Sequence, residues 1–307
     1  MRLLDFMALG AATALALPLT PAAGSAQDVR QRIDTTLAFD RGGSVVVGIV
    51  SGDVRVVTGT ANEIRISATI ERGRFETSFS RSRVSIQARS IDNRMGNTRV
   101  ELTVPVGTSV RASSVSGDVT VLGTQAEVEA STTSGDVTVA DAASVARIGT
   151  VSGTVEVTRA SGRVELSTVS GSVRASGVSG DLGVEAVSAR VNIQGARVRT
   201  LRVSTVSGEV TFDGPVERTG DYRLSSHSGR VLLVLPSDAA ATLDLETFSG
   251  RITSDFPITL QPGENVGRRG QRMHLTLGGG GARVSAESFS GSITIRRAGS
   301  RDQDQQE

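Results

Sequence analysis

The feature that most constrains this chain is a Ser-Gly pair that recurs at a fixed spacing. Ser-Gly occurs twelve times in the 307 residues, and a half-period of nine residues separates Gly153, Gly162 and Gly171. Self-similarity at a regular period is typical of repeat proteins, whose units stack on their neighbours. The full 18-residue period connects Gly117, Gly135, Gly153 and Gly171.

Each of these glycines stands within a run of alternating side chains. Residues 115–121 read Val-Ser-Gly-Asp-Val-Thr-Val, and residues 206–212 and 289–295 repeat the pattern with small changes. Alternation with period two predicts strands with one apolar face, on which the first Val, the Gly and the later Val share the inward side. We expect the glycine to leave space for neighbouring side chains or to take a positive φ where the strand bends.

Stacking such units predicts an all-β protein, a single-chain parallel β-solenoid (β-helix) with right-handed crossovers. A nine-residue half-unit fits one strand and a tight corner, so each coil has at least two sides, and residues 111–213 give about five to six coils. A meander of hairpins is the alternative. The glycines assigned to the repeat are Gly52, Gly117, Gly135, Gly153, Gly162, Gly171, Gly180, Gly208, Gly229, Gly250 and Gly291.

The chain divides into four predicted segments. Residues 1–26 have a basic start, an apolar stretch and a small-residue end, Gly24-Ser-Ala26, which predict a signal peptide cleaved before Gln27. Residues 27–110 form a β-rich N-terminal cap with the first repeat, residues 111–297 the solenoid, and residues 298–307 a polar, disordered tail. No later run is long enough for a transmembrane helix, so we expect an exported protein that is periplasmic, at the cell surface or secreted.

Composition excludes several function classes. A net charge of +1 argues against nucleic-acid binding, and 3% aromatic residues leave almost no stacking platforms for sugars or bases. The chain has no Cys and two His, which excludes disulfides, Cys-ligated zinc, thiol catalysis and a histidine-rich metal site. Asp118 and Asp136 occupy the same slot of consecutive units, and we interpret them as part of a solvated face. We therefore expect no catalytic residue, cofactor or metal.

One segment resembles a known family. Residues 102–110, Leu-Thr-Val-Pro-Val-Gly-Thr-Ser-Val, are followed by the Ser-Gly-Asp-Val unit at 115–121. This arrangement resembles the bacterial β-strand-repeat (Ser-Gly-Asp-Val repeat) family of unknown function that carries the name "putative adhesin", over about residues 40–297. The resemblance implies a β-solenoid, an envelope or extracellular location and no catalytic residue.

These observations favour a non-enzymatic, adhesin-like or scaffold protein that binds an envelope or cell-surface component, protein or polysaccharide. Two alternatives stay open: a polysaccharide-active enzyme on a β-helix and a regulatory binding module of an envelope-stress pathway. A clustered groove of Glu, Asp and Arg would favour the enzyme, and a uniform Ser/Thr/Arg/Asp surface the adhesin or scaffold. The predicted binding face consists of outward residues of the central coils: Thr120, Thr138, Glu156, Glu165, Arg174, Arg190 and Asn192.

Overall fold

A computed structural model describes residues 30–91, 96–257 and 271–299. The predicted signal peptide and residues 300–307 of the predicted tail lie outside this range. The described residues form strands and no helix, and none of them forms a helix that is long and apolar enough to cross a membrane. The strands in chain order are β1 (Gln31–Ala38), β2 (Ser44–Gly48), β3 (Gly52–Gly59), β4 (Glu63–Ile70), β5 (Arg74–Phe79), β6 (Arg83–Arg89), β7 (Thr98–Pro105), β8 (Ser109–Ser113), β9 (Val119–Leu122), β10 (Glu127–Ser134), β11 (Val137–Ala140), β12 (Ser144–Thr158), β13 (Ser161–Ser176), β14 (Ser179–Gln194), β15 (Arg197–Ser207), β16 (Val210–Asp213), β17 (Asp221–Ser228), β18 (Val231–Leu235), β19 (Ala241–Thr247), β20 (Ile252–Ser254), β21 (Gln271–Leu277), β22 (Ala282–Ser290) and β23 (Ile293–Arg297).

The strands form two long, mostly parallel sheets, and each coil contributes one arm to each sheet. The long strands β12, β13 and β14 pass through the corner between the sheets, so their first halves lie in sheet A and their second halves in sheet B. Sheet A has the spatial order β5, β6, β2, β8, β10, β12, β13, β14, β15, β17, β22, β19, β21. Sheet B has the order β1, β4, β7, β3, β9, β11, β12, β13, β14, β16, β18, β23, β20.

The core is the thin space between the two sheets. In a central coil, Val128 and Ala130 of sheet A and Val137 and Val139 of sheet B are fully buried. Burial of such aliphatic side chains is the main favourable contribution to folding. The buried side chains of successive coils form one continuous apolar cluster. The predicted all-β, parallel β-solenoid is confirmed, and residues 109–213 supply the expected coils.

The two ends of the solenoid are closed by coils placed out of sequence order. The first coil, β2 and β3, lies between the β6–β7 coil and the β8–β9 coil. The last coil, β22 and β23, lies between the β17–β18 coil and the β19–β20 coil. Strands β4, β5 and β21 then pair antiparallel with the terminal coils, and β1 pairs antiparallel with β4. This arrangement covers the parallel edges that an open stack would expose to other chains.

Most of the repeat glycines stack in one column at the corner that leads from sheet A to sheet B, here called the glycine corner. Gly135 has φ of +139° and Gly153 of +145°, and a Cβ added to either would collide with the glycine carbonyl oxygen of the preceding coil. Backbone cannot move aside as a side chain can, so these two positions require glycine. Ala189 takes one place in the column, and Gly162 and Gly180 lie half a coil away, where chains enter sheet A.

A column of buried hydroxyl groups accompanies the glycines. Thr132, Thr150 and Thr247 stand three residues before a corner glycine and are buried. Thr150 donates a hydrogen bond of 3.1 Å to the carbonyl oxygen of Gly135, and Thr132 one of 2.9 Å to that of Gly117. The same carbonyl that excludes a side chain is thereby given a donor. This column could have been predicted from the sequence, because Ser or Thr precedes nearly every corner glycine by three residues.

The structure corrects the side assigned to the first apolar residue of each unit. Val115 and Val151 share a period-two parity with the buried valines that follow, but they are 50% and 47% exposed. The corner at the glycine interrupts the alternation, so that Thr150 points inward and Val151 outward. These outward residues form what we call the apolar ridge, in the spatial order Val50, Val115, Thr133, Val151, Val169, Val187, Val206, His227, Phe289 and Phe248.

Candidate functional site

Sheet B presents a straight row of polar side chains across consecutive coils. Thr138 is paired with both Thr120 and Glu156, Glu156 with Arg174, and Arg174 with Asn192. Neighbouring strands place such residues ~4.8 Å apart. Glu156 and Arg174 are exposed, and within the described part of the chain neither has an ion-pair partner within 4.0 Å. Five of the seven residues predicted as a binding face therefore form one row.

The other two predicted residues lie elsewhere. Arg190 belongs to the adjacent row at the glycine corner, where it is 3.7 Å from Glu209. Glu165 follows Glu156 by half a coil, so it lies on sheet A, on the opposite side of the molecule. The prediction that all seven residues form a single face is therefore wrong. The error comes from counting outward parity without assigning each half-unit to its own side of the coil.

The outer surface of sheet A contains a groove that the sequence analysis did not predict. Gly183 is paired with Glu165 on one side and with Arg202 on the other, so a row of long charged side chains has a gap at this glycine. The register also shifts between Gly180 and Asp181, next to the gap. The groove has a volume of about 990 Å³ and is lined by charged residues that include Arg163, Glu165, Asp181, Glu185 and Arg202.

Arginines in the groove differ in how they are paired. Arg147 lies 3.7 Å from Glu165, and Arg223 lies 2.9 Å from Asp221. Arg163 and Arg202 have no ion-pair partner among the described residues. The groove brings Glu, Asp and Arg side chains together, as expected for an enzyme, but Glu165 is 51% exposed. A general acid needs a raised pKa, which burial away from water provides. The sequence feature that could have indicated the groove is Gly183, a glycine outside the repeat register.

The corner aspartates act on the backbone. Asp118 accepts a hydrogen bond of 2.9 Å from the backbone N–H of Asp136, and Asp136 accepts one of 2.7 Å from that of Thr154. Asp53 extends the column at the preceding coil, with a bond of 3.3 Å from Asp118. Over the residues that the structure describes, no group of three or more His, Asp or Glu side chains is arranged to hold a metal ion.

The two histidines stand apart from these surfaces. His227 is exposed on the apolar ridge, where its ring stacks on Phe289. Nδ1 of His274 lies 2.6 Å from Oδ1 of Asp244 near the C-terminal end of sheet A.

Comparison with known families accounts for most of the chain. The family Toastrack DUF4097 matches residues 50–296, which include nearly the whole stack of coils. The chain belongs to this family. The narrower Ser-Gly-Asp-Val family remains a resemblance. No curated protein matches the chain.

Two solved structures are similar to this member of the Toastrack family. One is named a "putative cell adhesion protein" from Clostridium sporogenes ATCC 15579, with 7% sequence identity and a TM-score of 0.24, covering 87% of this chain and 100% of that one. The other is named a "putative adhesin" from Bacteroides fragilis NCTC 9343, with 9% identity and a TM-score of 0.40, covering 86% of this chain and 97% of that one.

Proposed function

We propose that this protein is a non-enzymatic, adhesin-like binding module that contacts a repetitive component of the cell envelope or cell surface through sheet B. The observation that carries the proposal is the row from Thr120 to Asn192, which repeats a polar contact at each coil. Repeated weak contacts at a fixed spacing suit avid binding to a polymer or a dense surface better than capture of one small molecule.

Electrostatics gives the first test. Glu156, Arg174 and Arg190 are exposed on sheet B or its edge. A variant with Glu156→Ala, Arg174→Ala and Arg190→Ala should bind whole cells and isolated envelope less than the unchanged protein, while melting at a similar temperature. Binding should also weaken as salt is added, because mobile ions screen exposed charges.

A matched variant on the opposite side separates this face from a general charge effect. Arg163→Ala, Glu165→Ala and Arg202→Ala remove the same residue types from sheet A. We expect this variant to bind normally. Unchanged binding of the sheet B variant would favour a scaffold role, and a loss confined to the sheet A variant would transfer the binding site to the groove.

The groove supports a second candidate, a polysaccharide-active enzyme. Glycoside hydrolysis uses a pair of carboxylates that flank the scissile bond, and Glu165, Asp181 and Glu185 line one groove. The assay is release of reducing ends from envelope polysaccharides. Release that disappears in Glu165→Gln and Asp181→Asn variants would establish the enzyme and overturn the non-enzymatic proposal.

Export is part of the proposal and rests on residues 1–26. N-terminal sequencing of protein recovered from the periplasm or medium should give Gln27 or a close neighbour as the first residue. A cytosolic pool with intact Met1 would contradict export.

A further inference from the structure

The apolar ridge lies at the glycine corner between the two sheets and belongs to neither polar sheet face. Its valines are 44–51% exposed, and Phe289 and Phe248 are 50% and 56% exposed. Among the described residues, the other exposed large apolar side chains are Phe79, Ile91 and Val106, and they are less exposed, at 36–40%. Exposed apolar residues are normal when scattered, whereas a continuous strip marks an interaction surface. This strip follows the glycine corner along nearly all of the coils.

One end of the ridge is bulkier than the other. His227, Phe289 and Phe248 stack ring on ring with centroid separations of 4.9 Å, and their planes are within 8° of parallel. The N-terminal half carries valines and one threonine instead. Because the ring faces cover one another, the side chains present edges outward, which suits packing against aliphatic groups better than stacking on a sugar ring.

The charges beside the ridge are distributed unequally along its length. The residue directly after each member of the glycine column lies on the sheet B side of the ridge, and it is exposed wherever it is Asp or Arg. In the N-terminal third these residues are acidic: Asp53, Asp118 and Asp136. In the C-terminal half they are mostly basic: Arg190, Arg230 and Arg251, with Glu209 between the first two at 3.7 and 3.8 Å.

We propose that the ridge is a self-association surface, through which two copies of this chain pair side by side in an antiparallel, two-fold arrangement. The two-fold axis lies between Val169 and Val187, so each of these residues faces the other in the second copy. Asp53 then faces Arg251 of the second copy, and Asp136 faces Arg230. An isologous interface requires a surface complementary to itself, and this charge order is complementary to its own reversal.

Shape and the second flank agree with the antiparallel order. Reversal places Phe248 and Phe289 against Val50 and Val115, so both halves of the interface have similar thickness. A parallel pair would put aromatic rings against aromatic rings at one end and separate the valines at the other. On the sheet A flank, Glu185, Glu287 and Glu246 occupy the C-terminal half, and reversal brings them opposite the uncharged residues Ser167, Ser113 and Gly48, respectively.

The area of the ridge suits a reversible dimer. The ridge has one residue, or rung, on each of ten coils spaced by ~4.8 Å, so its length is ~45 Å. With a width of ~12 Å, the buried area would be roughly 550 Å² per copy and ~1,100 Å² in total, which is near the lower limit for specific interfaces. Both polar sheet faces stay accessible in such a pair, so the inference stands independently of the proposed function.

Sedimentation equilibrium of the purified protein tests association. We expect a dimer in the micromolar range. Val169→Asp with Val187→Asp places four carboxylates at the axis and should raise the dissociation constant at least tenfold, with an unchanged melting temperature for the monomer. Val169→Thr with Val187→Thr is the milder variant, since Thr133 already occupies this column, and should weaken the dimer less. A protein that is monomeric at all concentrations, or a dimer that both variants leave intact, would overturn the proposal.

Charge reversal and one distance test the orientation. Asp136→Arg and Arg230→Asp should each weaken the dimer, and the double variant should restore it. A spin label on Ser116→Cys, in a chain without native cysteine, should report a distance of ~34 Å between copies, seven rungs of ~4.8 Å. A separation under ~15 Å would mean a parallel pair and would overturn the antiparallel assignment.

Discussion

At the glycine corner Gly135 has φ of +139°, and at the opposite corner Asp141 has φ of +55° and Arg159 of +52°. Both corners therefore use positive φ, but Gly135 has no room for a side chain, whereas the opposite corner accepts long charged ones. The difference is the neighbour: a glycine carbonyl of the preceding coil faces Gly135, whereas a Cβ at Gly195 of the opposite corner would meet nothing within 4 Å. Close approach of backbone, more than φ itself, imposes glycine on one column.

The two corners also differ in how they accommodate extra length. From Ser51 to Ser249 the Ser-Gly pairs stay in register, with Ser188-Ala189 in one place, and the longer connections, such as residues 214–220, occur at the opposite corner. Tyr222 fills the widened corner there. Its hydroxyl donates to the carbonyl oxygen of Val198 at 2.7 Å and accepts from the N–H of Glu217 at 2.8 Å, and its ring lies 5.7 Å from that of Phe212.

The largest predicted effect contrasts the corners directly. Gly135→Val should lower the free energy of unfolding by several kcal/mol, about 3 or more, because the side chain meets backbone and the residue must keep a positive φ. Gly195→Ala should cost only ~1 kcal/mol, the penalty of the left-handed conformation. Urea unfolding of both variants measures this. Equal costs would mean that φ, and not the carbonyl contact, sets the requirement.

Tyr222→Phe should lower the free energy of unfolding by about 1–3 kcal/mol. The carbonyl oxygen of Val198 and the N–H of Glu217 would both lose their hydrogen bond to the Tyr222 hydroxyl. Burial raises the pKa of the Tyr222 phenol. A raised folded-state pKa means that this contribution is complete below the unfolded value, near 10, and is lost as pH rises through the folded value. The unfolding free energy of the unchanged protein should therefore fall in strong alkali, and the Phe variant should lack this part of the decline.

The hydroxyl column offers an internal control. Thr150→Val removes the donor to the Gly135 carbonyl and should cost ~1–2 kcal/mol, whereas Thr205→Val removes a buried hydroxyl that has no partner among the described residues and should be neutral or stabilising. Thermal unfolding of the two variants is the measurement. A loss at Thr205 as large as that at Thr150 would show that the hydrogen bond to the glycine carbonyl is not the cause.

The smallest effect belongs to the opposite corner. Arg159 bonds Asp141 at 2.6 and 2.8 Å, and this hydrogen bond lowers the pKa of the carboxyl. A lowered pKa gives stability that is present above the unfolded value and is lost as pH falls through the folded value. Asp141→Asn should thus destabilise slightly at neutral pH and low salt. The difference from the unchanged protein should vanish in acid and shrink in salt; a difference that persisted in both would contradict an ionic origin.

The sequence predicted the stack well because its determinants are local. The 18-residue period of the glycines and the β-branched alternation indicate short strands and a thin core without any knowledge of distant contacts. Five of the predicted face residues fell into one row for the same reason, since they occupy one slot of the period. Glu165 was misplaced because parity does not tell which side of a coil a strand belongs to.

The order of the end coils could not be predicted in this way. Nearly every unit carries the same Ser-Gly pair, so by its sequence the motif around Gly250 would fit beside Gly229 as well as the motif around Gly291 does. The groove depends likewise on which coils flank Gly183 and on a register shift. Such features depend on which coils pack against each other. A repeat motif specifies the spacing of the coils but not the order in which they stack.

The order of stacking can be tested with paired cysteines, since the chain has none of its own. Ser228 is paired with Ser290, although 62 positions separate them in the chain, whereas Ser249 lies beyond the inserted coil. Adjacent strands bring Cα atoms within the ~4.4–6.8 Å that a disulfide spans, and strands two steps apart do not. Under mild oxidation of the folded protein, Ser228→Cys with Ser290→Cys should form a disulfide, and Ser228→Cys with Ser249→Cys should not. The opposite result would show that the coils stack in sequence order and would contradict the column of glycines described above.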